Sequence, residues 1–111
     1  MPALSPALAI GYLEELSADV RAALVLDADG SVMAGPHDLS QAARDLLNAA
    51  GDAREIEVRT PGGIVFGARS DTHAVVVVCG SFALSGLQRH DLRSVLGDLA
   101  ERAEPSEAEV E

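Results

Sequence analysis

The sequence predicts an α/β (α+β) sandwich, in which a five-stranded antiparallel sheet lies between layers of helices. Two unbroken apolar runs, residues 22–26 and 74–79, have the length of short strands. Such runs are typical of strands buried on both faces, so both are expected inside the sheet. Amphipathic stripes elsewhere predict the helices that cover these faces. The predicted elements are α1 (6–18), β1 (22–26), β2 (31–34), α2 (39–50), β3 (55–60), β4 (64–69), β5 (74–79) and α3 (85–103).

The chain begins with the signal of a helix start. Ser5 can cap free amide groups, and Pro6 suits the first helical position because its missing N–H would have no partner there. Farther on, Asp29 and Gly30 predict a tight hairpin turn between β1 and β2. Helix α1 is expected to bury one stripe, made of Leu8, Ala9, Tyr12, Leu13, Leu16 and Val20.

Helix α2 has the most regular apolar spacing in the chain. Asp38 and Gln41 have the spacing of a capping box, and Gly51 stands where helices commonly end. Its alanines predict a flat surface that another helix or a sheet can approach closely. The expected stripe consists of Leu39, Ala42, Ala43, Leu46, Leu47 and Ala50.

The last elements complete the sheet and its cover. Residues 55–60 alternate charged with apolar or β-branched side chains, which predicts an edge strand with one wet face. Ser85 and Gln88 repeat the capping-box spacing at the start of α3. Joining the β1–β2 hairpin to the β3–β4–β5 meander through the two inner strands gives the order 2-1-5-4-3. Helices α1 and α3 are then expected on one face and α2 on the other.

Length and charge limit the possible functions. The 111 residues favour a single domain, predicted over residues 1–103, followed by a disordered acidic tail over 104–111. The net charge is −10 and the chain has no lysine, which excludes a lysine-containing phosphate loop and Schiff-base chemistry. An acidic chain is poorly suited to nucleic acid, and no apolar segment approaches membrane-spanning length. We therefore expect a cytoplasmic protein whose partner is a protein or a small molecule, without membrane insertion.

Residues that could carry chemistry are isolated from one another. Cys79 lies inside the most apolar run and is interpreted as a core residue. His37, His73 and His90 lack the spacing of metal-ligand pairs. The expectation is that the protein is not an enzyme and has no metal or other cofactor.

The element order, together with residues 20–34 and their Asp-Gly turn, resembles the Roadblock family of dynein-light-chain-related proteins. The resemblance covers about residues 6–103. It implies an α/β sandwich that dimerises through α2 and β3 and binds small Ras-like GTPases as a regulator or scaffold. The bacterial gliding-polarity members are GTPase-activating proteins that act without donating an arginine, so an activating role is among the expectations.

The dimer can be specified further from the sequence of β3. If two copies pair antiparallel at this edge, a two-fold axis at Val58 sets Glu57 opposite Arg59 of the other copy. Opposite charges across strands contribute about 0.2–1 kcal/mol, and axes at Glu57 or Ile56 would oppose like charges. The predicted interface residues are Leu46, Leu47, Ala50, Ile56, Glu57, Val58, Arg59 and Thr60.

Three functions stay open at this point. The first is a homodimeric, non-enzymatic regulator or scaffold for a small Ras-like GTPase. The second is a small-molecule-binding sensory domain, because sandwiches of this kind can hold a ligand between sheet and helix. The third is a structural dimerisation module within a larger complex, and strand 55–60 also has the simpler interpretation of a charged edge that resists aggregation.

Overall fold

The computed structural model of the chain describes residues 5–103, so the predicted acidic tail at 104–111 lies outside the described residues. All eight predicted elements are present. A 3₁₀ turn, His37–Leu39, precedes the second helix. The observed bounds are α1 (Pro6–Leu16), β1 (Val20–Asp27), β2 (Val32–Ala34), α2 (Ser40–Ala49), β3 (Glu55–Thr60), β4 (Gly63–Arg69), β5 (His73–Cys79) and α3 (Ser85–Ala103).

The five strands form one antiparallel sheet of order β2-β1-β5-β4-β3, as predicted. Strands β1 and β5 are its inner neighbours, with Leu24 opposite Val76 and Val25 opposite Val75. All four of these side chains are buried, because helices cover both faces of the sheet at this point. The prediction that the two unbroken apolar runs lie side by side in the interior is confirmed.

Each face of the sheet has its own hydrophobic core. Helices α1 and α3 pack on one face, and α2 packs alone on the other, which confirms the predicted layers. The core on the α1 and α3 side contains Phe66, the largest fully buried side chain among the described residues. The core under α2 is smaller and consists of Leu24, Leu26, Ala43, Leu47, Ala74 and Val76.

The predicted stripe of α1 is only partly buried. The Ser5 hydroxyl accepts a hydrogen bond from the Leu8 N–H at 3.2 Å, so the expected cap is present. Within the helix only Ala9 and Leu13 are buried, whereas Leu8 is 64% exposed. Helix α1 shares its face of the sheet with α3, and it contacts the sheet along a narrow strip of its own surface.

The capping box predicted for α2 is wrong. After the extended residue Pro36 the chain makes the 3₁₀ turn, so the helix begins at Ser40. Asp38 lies within that turn and no side chain caps the helix start. Gln41 instead donates from Nε2 to Oδ1 of Asp45 at 2.9 Å, one turn farther along the helix.

No helix within residues 5–103 combines the length and the apolar composition needed to cross a membrane.

Candidate functional site: the face beside α2 and the edge of β3

Helix α2 leaves one corner of its sheet face uncovered. Its C-terminal end reaches towards the outer strands, where the Leu47 carbonyl accepts a hydrogen bond from Arg69 and Ile56 packs against the core. The opposite ends of β3, β4 and β5 have no helix above them in the described part of the chain. A helix about 10 Å wide cannot cover five strands spaced about 4.8 Å apart.

The uncovered corner is an apolar groove of about 210 Å³, which we call the α2–β3 groove. Val58 lies at its outer side and is 38% exposed, although its neighbours along the groove are all apolar. Apolar surface that a single chain leaves open in this way commonly marks an interaction site. The groove is lined by Leu24, Leu39, Ala42, Ala43, Leu46, Val58, Val65, Val76 and Val78.

Strand β3 is an edge strand, as its alternating sequence predicts. One side pairs with β4, where Val58 is opposite Val65. The other side presents backbone groups that no strand of the same chain pairs within residues 5–103. An edge of this kind can add a strand from another copy, which would extend the sheet without changing its faces.

The predicted interface residues lie in several different environments. Leu46 and Val58 line the α2–β3 groove, and Ile56 lies on the same face. Leu47 is only 7% exposed and belongs to the core beneath α2. Ala50 caps the C-terminal end of that helix through its backbone N–H. The other three residues, Glu57, Arg59 and Thr60, are also on β3.

Glu57 is engaged within its own chain. Its carboxylate accepts hydrogen bonds from the Ser85 hydroxyl at 3.0 Å and from Arg89 at 3.1 Å, and it pairs with Arg59 at 2.9 Å. These contacts lower the pKa of Glu57, with the Ser85 hydrogen bond as the largest cause, although burial acts in the opposite direction. The pair with Arg59 that the sequence predicts between two copies is therefore already made inside one copy.

The same face carries a second ion pair. Arg93 donates to Glu55 at 3.0 Å, and its hydrogen bond is the main cause that lowers the pKa of Glu55. Together with Glu57 and Arg89, this pair ties β3 to α3 on the face opposite the α2–β3 groove. These links were not predicted from the sequence. Their only signal there is that two glutamates two positions apart on a strand match two arginines four positions apart on a helix.

The capping box predicted at Ser85 is also wrong, because its partners serve other contacts. The Ser85 hydroxyl donates to Glu57 and accepts from Arg59. Gln88 is buried and donates from its amide to the Ser17 hydroxyl at 3.0 Å, which links α3 to the end of α1.

Residues that might carry chemistry are held in structural roles. Cys79 is completely buried, as predicted, and burial raises the pKa of its thiol to about 11. His73 is half-buried at the start of β5, and its Nδ1 lies 2.8 Å from the Thr72 hydroxyl. Within residues 5–103, no three His, Cys, Asp or Glu side chains come together as metal ligands.

Comparison with solved structures identifies the class of fold. The chain resembles the Roadblock/LC7 domain from Streptomyces avermitilis with a TM-score of 0.77 and 15% identity, over 87% of this chain and 96% of that one. For the gliding protein MglB from Thermus thermophilus the TM-score is 0.66 and the identity 18%, over 87% of each chain. For profilin IB from Acanthamoeba castellanii they are 0.63 and 13%, over 89% of this chain and 99% of that one.

These structures share a small α+β architecture with a central antiparallel sheet. Within that class, this chain has the Roadblock/LC7 fold, which confirms the resemblance predicted from its sequence. At identities below 20% the likeness is one of fold, and a shared fold does not by itself assign a function. No model of a known protein family matches the sequence, and no curated protein does so.

Proposed function

We propose that this chain forms a homodimer through the free edge of β3 and the α2–β3 groove, and that the dimer binds a small Ras-like GTPase as a regulator or scaffold. The observation that carries the proposal is the apolar groove that α2 leaves open beside an unpaired edge strand. The proposed unit is the domain over residues 1–103, acting in the cytoplasm.

The register at Val58 supports the dimer on geometric grounds. A two-fold axis there places Val58 against its own copy and Ile56 of the second copy opposite Thr60. Since Ile56 lies beneath the C-terminal end of α2, the second copy's α2 is brought towards the open groove. Leu46, at the groove's other side, can then contact that helix. The register therefore closes both grooves at once, in the isologous manner of a two-fold dimer.

The GTPase part of the proposal rests on the family resemblance and on the shared fold with MglB and MglC proteins. The proposed dimer need not donate an arginine to the active site of the GTPase. Each described arginine side chain already bonds to a group of its own chain, which is consistent with this. These are Arg21, Arg44, Arg54, Arg59, Arg69, Arg89 and Arg93. A role in positioning the GTPase's own catalytic groups needs only a binding surface.

Replacing Val58 with arginine tests the dimer. Two guanidinium groups would meet at the axis, and the groove would lose an apolar side chain. We expect dissociation to become at least about tenfold easier, equivalent to about 1.4 kcal/mol. Sedimentation equilibrium of the wild type and the variant measures this change, with circular dichroism to verify that the variant is folded.

A matched control is Met33→Arg on β2, the other edge strand of the sheet. Met33 is 46% exposed, close to the 38% of Val58, so both substitutions add the same charge to similarly exposed apolar positions. The wild type and Met33→Arg should be dimers at concentrations where Val58→Arg is a monomer. A dimer that tolerates Val58→Arg as well as Met33→Arg would disprove the proposed edge.

The partner is tested separately. Small Ras-like GTPases from the source organism, beginning with any encoded beside this gene, are loaded with GDP or a GTP analogue and passed over the immobilised wild-type dimer. Retention in one nucleotide state supports a regulator or scaffold, and a GTP hydrolysis assay then detects activation. An intact dimer that retains none of them would favour the structural dimerisation module instead.

A further inference from the structure

A second cleft, also of about 210 Å³, opens at the end of the sheet where the β1–β2 and β4–β5 turns lie under α2. Its floor is apolar, formed by Leu47 and Ala74, which are 7% and 5% exposed. Its walls are polar and carry both signs of charge, so we call it the polar cleft. The residues around it are Asp27, Ala28, Asp29, Gly30, Arg44, Leu47, Asn48, Arg69, Ser70, His73 and Ala74.

Arg44 is fixed in place on one wall. It donates to the Gly30 carbonyl at 3.1 Å and to the Gln41 side-chain oxygen at 3.3 Å. Gly30 has a φ of +88°, and a Cβ there would lie 3.2 Å from Cδ of Arg44. The glycine thus lets the turn form and leaves room for the arginine stem. Among the described residues Arg44 forms no ion pair, although two carboxylates line the same cleft.

Asp27 is fixed equally well at the hairpin turn. Its Oδ1 accepts hydrogen bonds from the N–H groups of Asp29 and Ser31 at 2.9 and 3.0 Å. The second oxygen, Oδ2, has no hydrogen bond within residues 5–103, and Asp29 adds a second carboxylate on the same wall. On the neighbouring strand His73 is the partner of Asp27. Burial lowers the pKa of its imidazole, although the nearby charge of Asp27 acts in the opposite direction.

The second arginine of the cleft serves the fold. Arg69 donates to the carbonyls of Ala53 and Leu47 at 2.8 and 3.2 Å, and also to that of Gly51. These bonds satisfy the end of α2 and the loop after it. All three guanidinium nitrogens of Arg69 donate in these bonds, whereas Nε of Arg44 donates to no group within residues 5–103. Arg44 is therefore the cation of the cleft that has donor capacity left for a ligand.

We propose that the polar cleft binds a small zwitterion, a molecule with one ammonium and one carboxylate group such as a free α-amino acid. The ammonium group would pair with Asp27 and Asp29, and the carboxylate with Arg44 and the amide of Asn48. The cleft contains positive and negative side chains that do not pair with each other. A ligand that carries both charges can pair with both kinds of side chain at once. The volume equals that of about seven water molecules, which suits a ligand smaller than a typical drug.

The test is a titration of the full-length, isotope-labelled protein followed by amide NMR shifts. The probes are glycine, L-alanine and L-valine, with methylammonium and acetate as molecules that carry only one of the two groups. We expect saturable shifts with the amino acids, confined to residues 27–31, 44–48 and 70–74. Titration to about 10 mM would nearly saturate a site with a millimolar Kd.

Variants link the shifts to the proposed groups. Arg44→Gln and Asp27→Asn should each weaken binding at least about tenfold, and asparagine can still accept the hydrogen bonds that hold the turn. Arg54→Gln is the control, since Arg54 forms an exposed ion pair with Asp71 beside the β4–β5 turn. It should bind like the wild type.

Three results would overturn the proposal. One is the absence of saturable shifts with all three amino acids, and another is equal binding of methylammonium or acetate alone. The third is equal weakening by Arg54→Gln, which would indicate nonspecific attraction between charges. The cleft does not include the β3 edge, so the Val58→Arg monomer should still bind, and failure of the dimer proposal leaves this one standing.

Discussion

A single methyl group at Gly63 should disrupt the β3–β4 hairpin that presents the proposed interface. Gly63 is the first residue of β4, is buried and has a φ of +155°. A Cβ at this position would lie 2.2 Å from the Cys79 carbonyl oxygen on β5. The obstructing atom belongs to the backbone of an inner strand, so no side-chain rotation can relieve the contact. Gly63→Ala must therefore push β4 and β5 apart locally.

The cost can be worked from these two features. An unfavourable φ for a residue with a Cβ costs about 1–3 kcal/mol, and overpacking a tight interior site costs a similar amount. We expect Gly63→Ala to lower the free energy of unfolding by about 2–4 kcal/mol. The neighbouring Gly62 is a matched control, because a Cβ there would meet no atom within 4 Å. Gly62→Ala should change stability by less than about 0.5 kcal/mol.

Urea unfolding followed by circular dichroism measures both variants. With a slope of about 2 kcal/mol per molar urea, Gly63→Ala should lower the midpoint by about 1–2 M. All samples are compared at one protein concentration, because dimerisation would stabilise the folded state by mass action. Midpoints for Gly63→Ala and Gly62→Ala that agree within error would refute the reasoning, since only Gly63 has the positive φ and the close contact with Cys79.

Two further predictions follow from shifted pKa values. The buried Cys79 thiol, with its pKa raised from 9.0 to about 11, should react with iodoacetamide at pH 8 at least about 100-fold more slowly than in urea-unfolded protein. Comparable rates would show that the thiol is accessible in the folded state. Because the pKa of Glu57 is lower in the folded state, its ionised carboxylate stabilises the fold above pH 4.5, and this contribution is lost as the pH falls through the folded-state pKa. In Glu57→Gln the free energy of unfolding, measured by urea titration, should therefore fall less between pH 7 and about pH 3 than in the wild type. An equal fall in both proteins would contradict this role of Glu57.

The inner strands could be predicted because their signal is local. In β1, Leu24, Val25 and Leu26 are at most 1% exposed, and an unbroken apolar run has no other stable place in a small domain. Once two strands must be interior, a hairpin and a meander can be joined in few ways, and the observed order follows. The resemblance to Roadblock proteins rested on the same pattern, which explains why the fold was recognisable without similar residues in detail.

Other features depend on distances between helices and strands, and the spacing of apolar residues along the sequence does not give those distances. The stripe of α1 shows which side of the helix is apolar, but the position of α3 decides how much of it is covered, and Tyr12 stays 44% exposed. Ser85 has the spacing of a cap, yet the carboxylate of Glu57 competes for its hydroxyl from a strand 28 residues earlier. The α2–β3 groove is likewise invisible in sequence, because it depends on the direction in which α2 crosses the sheet.

The structure also changes the expected driving force for dimerisation. Sequence reasoning favoured the Val58 register through ion pairs between Glu57 and Arg59 of two copies, but both groups are already bonded inside one chain. Closing the apolar groove is then the main favourable term, and the charge of −10 on each chain opposes it. Salt screens this repulsion over about 10 Å at 0.1 M, so the dimer should become tighter as salt rises from low to moderate concentration. Sedimentation at several salt concentrations distinguishes the two driving forces, because an interface held by ion pairs between copies would become weaker as salt rises.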